Sequence, residues 1–320
     1  MLQKLQIHDF VTVKGKRIPE ISLTYQVFGK PLQTAPIVLV NHALTGNSTV
    51  CGENGWWNGL IGEGKPIDTT RYTILSFDIP GNGYDGVEEN LIQDYKQYTA
   101  RDIAAIFSLG LELLAIKDLY AVIGGSVGGG IAWELAILRP TLIKHLIPIA
   151  TDHKSTDWLK ANCLVQEQIL LNSENPVHDA RLHAMLIYRS PKSFKQKFDR
   201  SYNDELSMYN VESWLLHHGK KLDQRFTLSA YKALNHILAN IDIVKGRGGF
   251  EEVLSPVEST IHIISVDSDL FFTVEENKTT YQQLEVMNKN VTHGIITSDH
   301  GHDAFLIEYQ QLGELLDGIF

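Results

Sequence analysis

The sequence predicts an α/β fold, a mostly parallel sheet flanked by helices and interrupted by a helical insertion. Two observations carry this. Short β-branched runs alternate with stretches of helical apolar spacing through the first half of the chain and again near its end. One strand-to-helix junction is a glycine-rich turn with a serine at its apex, Gly124-Gly125-Ser126-Val127-Gly128-Gly129-Gly130.

The run 2–28 alternates apolar and polar residues around the turn signal Lys14-Gly15-Lys16, so an antiparallel hairpin opens the sheet. Ile37-Val38-Leu39-Val40 and Tyr72-Thr73-Ile74-Leu75-Ser76-Phe77 are apolar runs of the kind buried on both faces of a parallel sheet. Residues 101–114 read as a helix, 120–123 as a strand, 129–138 as a helix stopped by Arg139-Pro140, and 145–150 as a further strand. From 152 to about 249 no strand pattern is convincing, and 158–171 and 178–188 read as helices. Sheet logic returns at 260–266 and near 291–297, followed by a closing helix at 310–319. The expected organisation is a core formed by 1–151 and 255–320, with a helical insertion at 152–254.

Composition narrows the function classes. Over 320 residues, 43% hydrophobic and 21% charged content are those of an ordinary soluble globular protein. A formal net charge of -10 argues against nucleic acid or an anionic membrane as the main partner, because either selects a basic face. Cys51 and Cys163 form neither a disulfide framework nor a C-x-x-C pair, which fits a reducing compartment. The N-terminal residues lack the basic, apolar and small-residue regions of a secretion signal, and no run of about 18 apolar residues exists to span a membrane. The expected location is the cytoplasm.

The serine turn reads as a nucleophile elbow. An apolar run precedes it and a helix pattern, Ile131-Ala132-Trp133-Glu134-Leu135, follows. Small residues flank the serine because side chains there collide with the neighbouring strand and helix, and the helix N-terminus supplies free N–H donors for a developing negative charge. No G-K-[ST] follows, so a phosphate-binding loop is a poorer reading.

A serine hydroxyl needs a histidine base, and that histidine needs an acid to orient it. In α/β-hydrolases the chain order is Ser, then Asp or Glu, then His, each on a loop after a strand. Asp267-Ser268-Asp269 follows one late strand, and Ser298-Asp299-His300-Gly301-His302-Asp303 follows the next. His302 is preferred to His300 because Gly301 frees the loop before it and Ala304-Phe305-Leu306 starts an apolar helix after it. Asp269 is preferred to Asp267, which lies nearer the strand end and reads as a turn cap. Local chemistry leaves both choices open. A metal is not expected: His217 and His218 point about 100° apart on a helix, and the His300/His302 pair lacks further ligands at metal spacing.

Blocks along nearly the whole chain resemble the homoserine O-acetyltransferase family of the α/β-hydrolase fold. They are Asn41-His42-Ala43-Leu44-Thr45-Gly46, the run 55–69 from Gly55-Trp56-Trp57-Asn58-Gly59 to Asp68-Thr69, the elbow, Asp179-Ala180-Arg181-Leu182, Tyr188-Arg189-Ser190, Val211-Glu212-Ser213-Trp214-Leu215, Gly219-Lys220-Lys221, Arg225-Phe226, Asp267-Ser268-Asp269 and Gly301-His302-Asp303-Ala304-Phe305-Leu306. The resemblance implies acetyl transfer from acetyl-CoA to the γ-hydroxyl of L-homoserine, a step toward methionine, through an acyl-serine. It implies Ser126 as nucleophile, Asp269 as orienting acid and His302 as base. Backbone N–H groups of Leu44 and Val127 are implied as the oxyanion hole. Thr45, Arg181, Tyr188 and Asp303 are implied for the substrate pocket, with no permanently bound cofactor. It also implies that the insertion is a lid forming the CoA tunnel and a homodimer interface. The chain departs from the family in a shorter segment after Phe77 and in Val127, where methionine is usual. Other readings for the same residues are L-serine as acceptor, succinyl-CoA as donor, hydrolysis of small esters, or a non-catalytic scaffold.

Overall fold

The computed structural model describes all of residues 1–320. Eight strands form one sheet: β1 (Gln3–Val11), β2 (Arg17–Gly29), β3 (Ile37–Asn41), β4 (Thr73–Phe77), β5 (Leu119–Gly125), β6 (Ile143–Ile149), β7 (Thr260–Val266) and β8 (Val291–Ile296). Their spatial order is β1-β2-β4-β3-β5-β6-β7-β8. β1 and β2 make the expected hairpin, closed where Val11 faces Arg17 and Gly15 takes a φ of +84°. β2 also runs antiparallel to β4, and the remaining neighbours are parallel. The strand order doubles back at β3 and β4, which opens a crevice beyond the carboxyl ends of the central strands.

The apolar runs behave as strands buried on two sides. Leu39, Leu75, Val122 and Leu146 join one core cluster together with Ile103 and Phe107 of helix α1 (Ala100–Leu113) and Ile131 and Leu135 of α2 (Val127–Leu138). Their neighbours Val38, Val40, Ile74, Ile123 and Ile147 face the opposite cluster, which holds Trp57 and the residues Leu312 and Leu316 of the closing helix. Alternate side chains therefore serve alternate faces.

Between β6 and β7 lie α3 (Asp157–Asn172), α4 (Pro176–Tyr188), α5 (Pro191–Phe198), α6 (Asn210–Asp223), α7 (Leu228–Ala239) and α8 (Phe250–Leu254), followed after β7 by α9 (Val274–Val286) and after β8 by α10 (Tyr309–Leu316). The chain enters and leaves the α3–α7 layer side by side: Ser155 N–H donates to Ile241 O at 2.8 Å and Ile243 N–H to His153 O at 3.2 Å. Behind that junction Glu134, buried on α2, pairs with Arg247 at 2.5 Å and Arg101 at 3.4 Å.

Four local expectations change. α2 starts at Val127 rather than near 129, because packing holds its glycines helical against their propensity. The 152–249 stretch contains a small ladder, Tyr202–Asn203 with Met208–Tyr209, too short to register as a period-2 pattern. Ala304 does not begin an α-helix; Gly301–Leu306 is a 3-10 turn that includes His302 itself. The last helix ends at Leu316 before Gly318, whose φ of +78° cannot continue it.

The elbow's glycines differ in how little room they have. A Cβ on Gly128 would lie 2.5 Å from the carbonyl oxygen of Asn41 and 2.7 Å from that of His42, backbone that cannot move aside, whereas one on Gly130 would meet only the flexible Ile241 side chain. Gly128→Ala is expected to lower stability by about 1–3 kcal/mol, and Gly130→Ala by clearly less. Urea denaturation midpoints check this, and equal losses would refute the packing argument.

Candidate active site

Ser126 caps β5 with a φ of +57° and a ψ of -126°, a conformation that a non-glycine residue holds only when its surroundings impose it. The imposition is visible. Ser126 N–H donates to Ile149 O of β6 at 2.9 Å, and Asn41 Nδ2 at the end of β3 donates to Gly128 O at 3.1 Å. A Cβ on Gly124 would lie 2.6 Å from Gly128 backbone, so the turn closes only with glycine on both sides.

Leu44, Ser126, Asp269 and His302 follow β3, β5, β7 and β8, four parallel strands whose carboxyl ends share one edge of the sheet. His302 Nδ1 lies 2.7 Å from Asp269 Oδ2, and both residues are buried. The other carboxylate oxygen of Asp269 accepts from Phe271 N–H at 2.6 Å and Phe272 N–H at 3.0 Å, which fixes the acid. His302 Nε2 makes no hydrogen bond. Phe305 joins the elbow to this pair: its ring blocks any Cβ on Gly125 and stands 5.7 Å from the His302 ring. Phe271, Phe272 and Tyr188 complete an aromatic enclosure around the imidazole, with Tyr188 at 5.4 Å.

Burial opposes protonation of His302, but the charge of Asp269, its hydrogen bond and the charge of Asp303 outweigh it, so the pKa lies above the ordinary 6.5. Asp303 itself is raised by burial, against the pull of Arg189, Arg181 and His302. The ring of His218 is pushed down to about 4 by burial and by Arg181, His217, Lys221 and Arg189. Positive charge thus gathers over the site from α4 and α6.

The neighbouring candidates have other duties. Asp267 Oδ1 accepts from Ser298 N–H at 3.0 Å and ties the β7 and β8 loops together. His300 Nδ1 accepts from Arg189 Nη1 at 3.0 Å, so His300 and His302 do not converge on one point. Arg181 lies over the Tyr188 ring at 5.7 Å, and its buried Nε has no hydrogen-bond partner. Thr45 is held through its carbonyl, which accepts from Arg225 at 2.9 Å, and its hydroxyl stays unpaired. Leu44 N–H is likewise unpaired, and Val127 N–H, first in α2, has no intrahelical acceptor. Such a set can lend one proton at the serine and hold negative charge beside it.

Two residues at the site escaped the sequence reading. His42 is fully buried, donates from Nδ1 to Ala43 O at 2.8 Å and accepts at Nε2 from Ile79 N–H at 2.9 Å. Burial lowers its pKa against the pull of Asp78, so it stays neutral and props the Leu44 turn. Arg189 reaches from the end of α4 to Asp303, Nε to Oδ2 at 3.1 Å. The signal for His42 was a polar residue directly after an apolar strand; nothing local distinguished Arg189 from a surface arginine.

The family model for the alpha/beta hydrolase fold matches residues 36–309. The chain is 31% identical over 342 residues to the homoserine O-acetyltransferase of Chloroherpeton thalassium, across 98% of this chain and 88% of that protein. The crystal structure of homoserine O-acetyltransferase from Bacillus anthracis aligns with a TM-score of 0.87 at 21% identity, covering 99% of this chain and 97% of that one. A crystal structure of an esterase aligns with a TM-score of 0.84, also at 21% identity, over 99% and 100% of the two chains. At that identity the two structures speak for the fold alone, which serves transfer and hydrolysis alike. The chain belongs to the homoserine O-acetyltransferase family, acyltransferases built on the α/β-hydrolase fold.

Proposed function

We propose that this chain transfers an acetyl group from acetyl-CoA to the γ-hydroxyl of L-homoserine, an activation toward methionine, in two half-reactions through an acetyl-Ser126 intermediate. The observation that carries the acyl-serine reading is the strained Ser126 turn set at the same sheet edge as the 2.7 Å His302–Asp269 pair. His302 Nε2 takes the Ser126 hydroxyl proton as Oγ attacks the thioester carbonyl. The Leu44 and Val127 N–H groups hold the oxyanion, and Asp269 steadies the imidazolium. The C–S bond then breaks, and the proton passes from His302 to the CoA thiolate.

In the second half-reaction His302 takes the acceptor's γ-hydroxyl proton, the acceptor oxygen attacks the acetyl carbon, and Ser126 Oγ leaves with that proton. The unpaired guanidinium Nε of Arg181, which lies over the Tyr188 ring, suits the acceptor's carboxylate, Asp303 suits its ammonium, and Tyr188 and Thr45 are assigned to the same pocket on the family resemblance. The helical layer α3–α7 acts as a lid that keeps water from the ester intermediate.

Ser126→Ala is expected to lower turnover by about 10⁴-fold or more and to abolish the acetyl adduct seen by intact mass with acetyl-CoA. Retained turnover would sink the nucleophile assignment. Side-by-side kcat/KM values should favour homoserine over L-serine and acetyl-CoA over succinyl-CoA; a reversal changes the substrates, and acetate release as fast as transfer makes the enzyme an esterase.

Catalysis needs His302 neutral, and its raised pKa places the acid limb of kcat/KM above pH 6.5. Asp303→Asn removes one of the charges that raise it, so the limb should move to lower pH. A limb that stays or rises contradicts this electrostatic account.

We further infer a homodimer in the cytoplasm, formed through the lid, where Leu164, Val165, Leu171 and Leu186 stand exposed. No helix is long and apolar enough to cross a membrane. Sedimentation equilibrium should show twice the chain mass, and Leu164→Glu with Leu171→Glu should halve it; a monomeric parent rejects the interface.

A further inference from the structure

The 298–303 loop that carries His302 is gripped from the lid side at Asp299, His300, Gly301 and Asp303. Ser190 Oγ donates to the Asp299 carbonyl, Gln196 Nε2 donates to Asp299 Oδ2 at 2.8 Å, and Lys192 pairs with Asp299 Oδ1 at 2.9 Å. Gly301, at a φ of +65°, brings its backbone so near α4's end that a Cβ there would lie 2.9 Å from Tyr188 O and 3.1 Å from Arg189 Cα. Among these contacts only Arg189 touches both sides of the base. Its Nη1 donates to His300 Nδ1 at 3.0 Å, and its Nε lies 3.1 Å from Asp303 Oδ2.

The second contact is a charge pair rather than an aligned hydrogen bond, since the Nε proton finds no acceptor on its axis. It still fixes distance, because both groups are largely buried, with side-chain exposures of 20% and 18%, and a separated pair would leave two poorly solvated charges. The planar guanidinium spans the two partners at once, which a lysine ammonium on its single point charge does less well.

We infer that Arg189 is a positioning residue that couples the lid to the base, bracketing the turn around His302 through His300 before it and Asp303 after it. Docking of the lid and registration of His302 Nε2 toward the serine are then one event, so an open lid leaves Ser126 without its base and spares the enzyme idle hydrolysis. The inference rests on the assignment of Ser126 and His302 as nucleophile and base. It makes a prediction that an acceptor clamp does not. A residue that only holds homoserine affects the second half-reaction, whereas a residue that places the base affects the first as well.

The test uses p-nitrophenyl acetate as the acylating probe with no acceptor present, so it does not depend on which donor or acceptor is natural. Wild-type enzyme is expected to release a burst of p-nitrophenol as Ser126 is acylated. Arg189→Ala is expected to slow that burst on the order of 100-fold, the effect of a base displaced by about 1 Å, and guanidinium ion at sub-denaturing concentration should restore part of it. Arg189→Lys should fall between the two, and it keeps the test available if the alanine variant folds poorly. A burst unchanged in Arg189→Ala, with only the KM for homoserine raised, overturns the inference in favour of an acceptor clamp. A slowed burst that guanidinium leaves untouched overturns it in favour of a purely structural role. If wild type fails to acetylate homoserine while its burst responds to Arg189, the substrate reading falls and the coupling stands.

Discussion

One backbone conformation organises the rest of the molecule. Holding Ser126 at a positive φ costs about 1–3 kcal/mol, and the structure meets that cost by packing two strand ends and one aromatic ring onto the turn. β6 receives its N–H at Ile149, β3 grips the start of α2 through Asn41 and Gly128, and Phe305 closes over Gly125. The approaches at Gly124, Gly125 and Gly128 leave no room for a side chain. The glycine pattern is therefore a record of close approach, and the same approach brings the Leu44 turn and the first amides of α2 to one place.

The electrostatics follow from burial around that point. His302 sits among four aromatic rings, where an imidazolium is poorly solvated, and its pKa is nonetheless held up by the charge and hydrogen bond of Asp269 and by the charge of Asp303. Asp303 in turn is raised by its own burial, and the arginines of the helical layer oppose that rise. His302 thus draws its electrostatics from residues on both the sheet edge and the insertion. This explains why the two parts are fastened by so many polar contacts at 298–303 and by the Glu134 cluster behind α2.

Much of this was legible beforehand. The hairpin, the apolar central strands, the serine turn and the order Ser, Asp, His were readable because each depends on local period or on a few adjacent residues. The choices between Asp267 and Asp269, and between His300 and His302, were open on local chemistry because both members of each pair stand two residues apart on the same loop. Tertiary contacts separate them: Asp267 spends an oxygen on Ser298 N–H and His300 a nitrogen on Arg189, while Asp269 and His302 meet each other. The apolar run Ala304-Phe305-Leu306 predicts a helix start, but a run of three adjacent residues carries no period, and the fold makes 301–306 a tight 3-10 turn.

The sequence by itself determined the layered fold, the strained serine and the identity of the family, since these reside in periodicity and in residues adjacent along the chain. Only the tertiary structure showed what Asp267 and His300 bind instead, that His42 props the Leu44 turn, and that Arg189 reaches Asp303 across 114 positions. Those pairings join distant segments, and no local pattern specifies a contact whose distance is set by how the sheet twists and where the insertion packs against it.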